Sequence, residues 1–207
     1  LGDASVTEGE VSEAFQFAAL HQLPIIYLVQ DNDWGISVTS AEARTFNAFE
    51  FIKGVKGINS VSIDGSDFTE SYLTMKNVVE EVRTKRQPWL VHAKVPLLGH
   101  HTSGVRKDFY RKEDELNESY KKDPGPQLKK ILIKNGVAES LLLEIEKEEL
   151  EKVLSDFEKA VQADEPNPES VSEFIFAPTP VVEEKGNRNP SNKEKILMVD
   201  AALFAIR

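Results

Sequence analysis

The run Ile25-Ile26-Tyr27-Leu28-Val29-Gln30 constrains the fold most. It follows Pro24, carries almost no polarity, and ends abruptly in Asp31-Asn32-Asp33-Trp34-Gly35. A run this short, apolar without alternation, reads as a strand buried on both faces, the pattern of a parallel sheet covered by helices. Upstream, residues 10–22 place Val11, Ala14, Phe15, Ala18 and Ala19 on one face at helical spacing. Downstream, residues 60–64 alternate like a short strand and stop at Gly65-Ser66-Asp67. Residues 67–86 then carry Phe68, Tyr72, Met75, Val79 and Val82 at three- and four-residue steps, a helix entered through an Asp or Ser cap. Residues 88–95 form a further buried strand. The order helix, strand, loop, strand, helix, strand predicts an α/β fold with a mostly parallel sheet and helices on both faces.

Beyond Pro96 the pattern changes. Residues 97–111 have no clear period and too much polarity for a core, so they read as a long loop, a feature usually tied to function or mobility. Residues 112–165 alternate Glu and Lys with Leu, Ile and Val at helical spacing, interrupted at Asp123-Pro124-Gly125-Pro126 and at Asn135-Gly136. Residues 166–192 are rich in Pro, Asn, Glu and Ser and read as a linker. A new amphipathic helix then starts within 193–207. The expected organisation is therefore an α/β domain over 1–111 with an active-site loop at 97–111, a helical extension over 112–165, a linker, and the start of another domain. The chain starts at Leu1 and stops inside a helical pattern, so it is read as a piece of something longer.

The net charge of −10 argues against non-specific nucleic-acid binding, which needs clustered Lys and Arg. The chain has no cysteine, which excludes disulfides, zinc–thiolate sites and thiol nucleophiles and fits a reducing compartment. No apolar run approaches the roughly 18 residues of a membrane-spanning helix.

The residues with most chemical promise lie at strand ends. Asp3, followed by the small residues Ala4 and Ser5, precedes the first helix, and Asp31-Asn32-Asp33-Trp34 closes the apolar strand. Ligands of open α/β sheets collect at the carboxyl ends of strands, and small residues there let the backbone approach a phosphate. If the helix over 10–22 is a crossover between adjacent parallel strands, Asp3 and Asn32 meet at one sheet edge. A carboxylate and a carboxamide oxygen suit a hard cation such as Mg²⁺. An Asp at a strand end is more often a turn or cap residue, and a pair such as His100-His101 more often an exposed loop pair, so the residues alone do not establish a site.

The stretch from Gly2 to Ser37 resembles the thiamine-diphosphate motif of the thiamine-diphosphate-dependent 2-oxo acid dehydrogenases, a Gly-Asp-Gly followed roughly thirty residues later by Asn-Asn. The chain is similar to the α subunit of the decarboxylating first component of the branched-chain and pyruvate complexes. The likeness runs through residues 57–67, residues 87–103 and Tyr110-Arg111, to about residue 165. The resemblance implies thiamine diphosphate and Mg²⁺ as cofactors. Asp3, Asn32 and the Trp34 backbone carbonyl would hold the metal, Ala4 and Ser5 would line the diphosphate, and Ile36 would lie close to the cofactor. His101 would be catalytic and touch the cofactor end of the site, His100 would be structural, and Tyr110 and Arg111 would support the loop.

Four positions depart from the family's pattern. Ala4 replaces the third Gly, Asp31 replaces the first Asn, Leu97 replaces a basic residue of branched-chain α subunits, and Val105 stands where they have Asp. Thr102 occupies the place of a serine that is phosphorylated in mammalian relatives. Ala4 is tolerable unless positive φ is required; Asp31 is unfavourable beside a diphosphate unless it faces away or pairs with a cation.

The sequence of residues 193–207 resembles the start of the β subunit, which implies a fused α–β chain. The expected partners are a β-type domain or subunit and a lipoyl-bearing acyltransferase core, in an α₂β₂-like or homo-oligomeric assembly, with a cytoplasmic, bacterial-type location. Gly99-His100-His101-Thr102-Ser103 favours a branched-chain 2-oxo acid of the 3-methyl-2-oxobutanoate type. Pyruvate or acetoin dehydrogenase is one alternative, and a non-catalytic subunit-assembly module is another of a different class.

Overall fold

The computed structural model describes residues 1–175 and 196–206. The chain divides into two compact units, Leu1–Lys152 and Val153–Arg207. In the first, strands β1 (Ile26–Asp31), β4 (Asn59–Asp64) and β5 (Trp89–Lys94) form a parallel sheet in the order β1-β5-β4. Val29 pairs with His92, and Ser62 pairs with His92 from the other side. A short antiparallel hairpin, β2 (Trp34–Gly35) and β3 (Val38–Thr39), follows β1.

A fourth strand-like segment completes the edge. Gln30 N–H donates to the Leu1 carbonyl at 2.9 Å, and Gly2 bridges Gln30 in parallel. The carbonyls of Ile25 and Asp31 point the other way, toward Trp89 and Val95 of the β5 side. Helix α1 (Gly9–His21) is thus the crossover of a βαβ unit, and it ends in a left-handed residue, Gln22.

Helices cover both faces. On one, Phe15 and Ala19 of α1 and Ile52 of α3 (Ala48–Ile52) pack with Val29 and Leu90. Tyr27 meets Phe15 edge-on at 4.8 Å and donates its hydroxyl to the Ala14 carbonyl. On the other, Val78 and Val82 of α4 (Phe68–Lys85) pack with Ile63, Val91 and Ala93. Asp67 caps α4 by accepting from Glu70 N–H at 2.9 Å. Helix α2 (Ser40–Ala43) is a single capped turn between hairpin and α3.

Two expectations change. β1 is not buried on both faces: Val29 is fully enclosed, but Leu28 is 37% exposed. α4 covers Ile26 and the β5–β4 half of that face and leaves Leu28 open, so the doubly buried strand is β5. The apolar stripe of α4 is also rotated. Val78 and Val82 face the sheet, whereas Phe68 and Tyr72 are about half exposed and stack on each other. Three- and four-residue steps define two overlapping stripes, and the smaller β-branched pair allows the closer approach to the sheet.

The helical region resolves into α5 (Glu113–Lys121), α6 (Pro124–Lys134) and α7 (Glu139–Gln162). The loop 97–111 is not wholly outside the core: Lys107 is buried, and its ammonium donates to the Leu98 carbonyl and lies 4.7 Å over the Tyr120 ring. The second unit holds the end of α7, a 3-10 turn at Pro168–Ser172 and α8 (Met198–Ile206). Most of the expected linker and the beginning of the expected β-like segment lie outside the described residues. No described helix is long and apolar enough to cross a membrane.

The turn after β4 depends on a glycine. A Cβ on Gly65 would stand 2.6 Å from Val95 Cγ1 and 3.0 Å from the Lys94 carbonyl oxygen. Gly65→Ala is expected to cost about 1–3 kcal/mol through overpacking, read as a lower melting temperature of the intact protein.

Candidate active site

The carboxyl ends of β1, β4 and β5 open onto one cleft of about 900 Å³, lined by their terminal residues Asp31, Asp64 and Lys94 together with Asn32, Trp34, Arg44 and Arg111. Parallel strands deliver their last side chains to the same edge, which is why residues far apart in sequence meet there.

Asp3 lies at the foot of this edge, immediately after the Leu1–Gly2 pairing. It is buried, and its Oδ2 accepts from Arg44 Nη2 at 2.5 Å. The same Arg44 nitrogen reaches Asp31 Oδ1 at 3.3 Å. The second oxygen of Asp31 pairs with His92 Nε2 at 2.8 Å. His92 is fully enclosed in the central strand, and its Nδ1 meets Ser62 Oγ at 2.9 Å. An ionised carboxylate can only accept, so Nε2 carries the proton toward Asp31 and the Ser62 hydroxyl donates to Nδ1. The chain Ser62–His92–Asp31–Arg44–Asp3 therefore crosses β4, β5, β1 and the N-terminal segment in order.

The two carboxylates titrate in opposite directions. Burial pushes Asp3 above the ordinary 3.8; the Arg44 hydrogen bond opposes this, and the charge of Asp31 reinforces it. Burial pushes Asp31 the same way, but hydrogen bonds from His92 and the Asp33 N–H, with the charge of Arg44, outweigh it and hold Asp31 below 3.8.

Asn32 Oδ1 accepts from the Trp34 N–H at 3.0 Å, and Asp31 Oδ1 accepts from the Asp33 N–H at 3.1 Å. These turns fold the chain into the β2–β3 hairpin, which Asp33 closes by accepting from the Ser40 N–H. The first central residue of the hairpin is Ile36, at φ +60°. Hairpins place Gly, Asn or Asp there, and a β-branched side chain in the left-handed region is strained.

Ala4 and Ser5 begin a 3-10 turn after Asp3. Ser5 Oγ donates to the Gly2 carbonyl at 2.6 Å. Ala4 does not adopt positive φ. Its methyl faces Gly35, where an added Cβ would stand only 3.0 Å away. The methyl that departs from the Gly-Asp-Gly pattern thus occupies space that a second glycine leaves open.

The hairpin is also the anchor of the loop. The Trp34 ring lies 5.4 Å from the Tyr110 ring and 5.2 Å from the Arg111 guanidinium. Arg111 donates to the Leu97 carbonyl and to Ser119 Oγ, joining the two ends of the loop to α5. Of the expected site residues only Asn32, Trp34 and Arg111 line the cleft itself; His101 does not, is exposed, and makes no hydrogen bond or ion pair among the described residues. His100 accepts the Lys107 N–H through Nδ1 at 3.2 Å.

The sequence reading missed Arg44, His92 and Ser62. Two signals pointed to them. An aspartate inside the motif needs a cation, and a lone histidine in a strand as apolar as Trp89–Lys94 needs a polar partner. Neither signal says which residue answers, because strand order brings them together.

A hard-oxygen donor set is present in part. Arg44 occupies Asp3 Oδ2, while Oδ1 makes no hydrogen bond among the described residues. The Asn32 carboxamide oxygen has a second lone pair beyond its turn bond. No group of three or more His, Cys, Asp or Glu suited to a metal occurs among the described residues; the expected donors include only one carboxylate and so are not such a group. The donors fit Mg²⁺, which takes few protein ligands and fills its octahedron with phosphate and water.

Fold and site together define a parallel α/β protein with a charged, arginine-braced pocket at the carboxyl edge of its sheet. The chain belongs to the Dehydrogenase E1 component family, which matches residues 1–169. It is 34% identical over 179 residues to the pyruvate dehydrogenase E1 component subunit alpha of Rickettsia bellii, covering 85% of this chain and 54% of that protein. It is 36% identical over 149 residues to the same subunit of Rickettsia felis, covering 70% and 45%. It is 28% identical over 181 residues to the mitochondrial 2-oxoisovalerate dehydrogenase subunit alpha of Homo sapiens, covering 86% and 41%. The chain spans about half the length of the curated relatives it matches.

Two outcomes test this geometry. Asp31→Asn removes the charge that raises Asp3, so the Asp3 carboxyl should titrate lower, as read by carboxyl-carbon NMR. Stability follows the sign of the Asp31 shift. Its contribution is in place above the unfolded value near 3.8 and is lost as pH falls through the lower folded value, so the variant should lose this part of the acid limb. Gly35→Ala should lower the melting temperature, and Ala4→Gly in the same chain should restore it.

Proposed function

We propose that the intact protein is the thiamine-diphosphate-dependent, decarboxylating first component of a 2-oxo acid dehydrogenase complex, and that this chain supplies the α-type wall of its cofactor site. The observation that carries the reading is that one Arg44 nitrogen joins Asp3 to Asp31, the start of the 31–34 turn, at the carboxyl edge of parallel strands. Asp3 would hold Mg²⁺ through Oδ1, Asn32 through its carboxamide oxygen and Trp34 through its backbone carbonyl. Ala4 and Ser5 would line the diphosphate, and Ile36 would lie against the cofactor. Bound thiamine diphosphate supplies an electron sink for decarboxylation. The chain's own residues hold the metal and orient the diphosphate. His101 would donate a hydrogen bond to charge developing at the reacting end as the acyl group passes to lipoyl, a role that requires the loop to carry it toward the cleft.

For the substrate, Gly99-His100-His101-Thr102-Ser103 favours a branched-chain 2-oxo acid of the 3-methyl-2-oxobutanoate type. A second reading, pyruvate, is supported by the 34% identity to a pyruvate dehydrogenase subunit against 28% to a 2-oxoisovalerate dehydrogenase subunit. Partners in this proposal are a β-type domain, entered through the segment from Lys193 onward, and a lipoyl-bearing acyltransferase core.

Asp3→Ala and Asn32→Ala in the intact protein are each expected to abolish magnesium-dependent thiamine-diphosphate binding measured by calorimetry. Unchanged affinity would sink the site and leave an assembly module as the reading. Turnover of 3-methyl-2-oxobutanoate against pyruvate separates the two substrates: the branched-chain acid is expected to have the higher kcat/KM.

A further inference from the structure

We propose that Arg44 is a positioning residue of the metal site, and that Asp31 and Arg44 work as a neutral pair in place of the neutral side chain that the family motif has at position 31. The inference rests on the proposed Mg²⁺ and diphosphate site, and adds a residue that lies outside its motif.

The geometry is specific. Arg44 Nη2 touches Asp3 at 2.5 Å and Asp31 at 3.3 Å, with the arginine side chain 6% and the Asp3 side chain 4% exposed. Asp31 is held from behind by His92. Arg44 itself is delivered by a rigid device. It is the residue after α2, whose first turn is locked by a capping box of Thr39 and Glu42, and its N–H bonds back to the Ser40 carbonyl at 2.9 Å. Hairpin, capped turn and guanidinium therefore form one continuous arm, starting at the Asn32 and Trp34 donors and returning to Asp3.

Charge counting gives the arm its purpose. Asp3, Asp31 and Arg44 sum to a single negative charge, the same as one aspartate beside a neutral asparagine. Without Arg44 two buried carboxylates would face each other uncompensated, which is costly. With it, Asp3 Oδ2 is fixed and Oδ1 is left for a cation. Residues that orient a ligating carboxylate commonly change metal affinity by about 10- to 100-fold when removed.

The experiment is a mutant cycle on the intact gene product. It reads the Mg²⁺ concentration that half-saturates thiamine-diphosphate binding in calorimetry, with apo melting temperature recorded beside it. Arg44→Met is expected to raise that concentration at least about tenfold. Asp31→Asn alone leaves Arg44 to neutralise Asp3 and should also raise it, and Asp31→Asn in the Arg44→Met background should return it to near the wild-type value. A merely structural arginine would lower the melting temperature without this magnesium-specific loss and rescue. Should Arg44→Met not fold, Arg44→Lys keeps the charge on a differently shaped donor and is expected to show a smaller loss, which Asp31→Asn in that background deepens rather than rescues. Wild-type-like magnesium dependence in a folded Arg44 variant, or failure of Asp31→Asn to rescue Arg44→Met, overturns the inference alone. Absence of magnesium-dependent binding in the wild type overturns the site reading and the inference with it.

Discussion

The guanidinium of Arg44 between Asp3 and Asp31 is the contact on which the carboxyl edge depends. Burying two carboxylates a few ångströms apart is unfavourable on its own, since each loses water and each repels the other. One cation, through a single guanidinium nitrogen, answers both. Removing one partner from such a buried set typically costs about 3–5 kcal/mol, because the remaining charge has no water to return to. The bridge is also what joins the outermost strand-like segment to the rest. Leu1 and Gly2 are held to β1 by main-chain bonds, and Asp3 by the arginine.

Both departures from the family motif have answers in this structure. Asp31 has Arg44 in front and His92 behind, so its carboxylate is ion-paired on one side and hydrogen-bonded on the other. Ala4 has Gly35 opposite, so its methyl fits without positive φ. In each case the compensating residue lies in another element: the arginine after α2, the histidine in β5, the glycine in the hairpin.

The strands and long helices were legible because their signals are local. The apolar runs ending at Asp31 and Lys94, the cap at Asp67 and the break at Asp123-Pro124 need only neighbouring residues to be read. What stayed illegible depends on distant partners or breaks a local rule. The β2–β3 hairpin carries Ile36 where turn chemistry expects Gly or Asn, so no turn signal announces it. The stripe of α4 was ambiguous because helical spacing fits both Phe68-Tyr72-Met75 and Met75-Val78-Val82; only the width of the sheet decides. In the candidate site, Asp3 and Asn32 could be put on one edge from a βαβ argument. The arginine could not be placed, since nothing local in Glu42-Ala43-Arg44-Thr45 points toward Asp3.

His92 has a consequence for how the sheet is assembled. Side chains alternate along a strand, so slipping β5 by one residue against its neighbours would turn His92 to the opposite face. There it would meet Val78 and Val82 of α4 rather than Ser62 and Asp31. An apolar strand such as Trp89–Lys94 would otherwise tolerate the slip, because it is hydrophobic on both faces. A single polar side chain with two fixed partners makes the wrong alignment expensive. The histidine thus acts as an index mark for the sheet, ensuring that the strand ends arrive level and that the cleft above them is built from the intended residues.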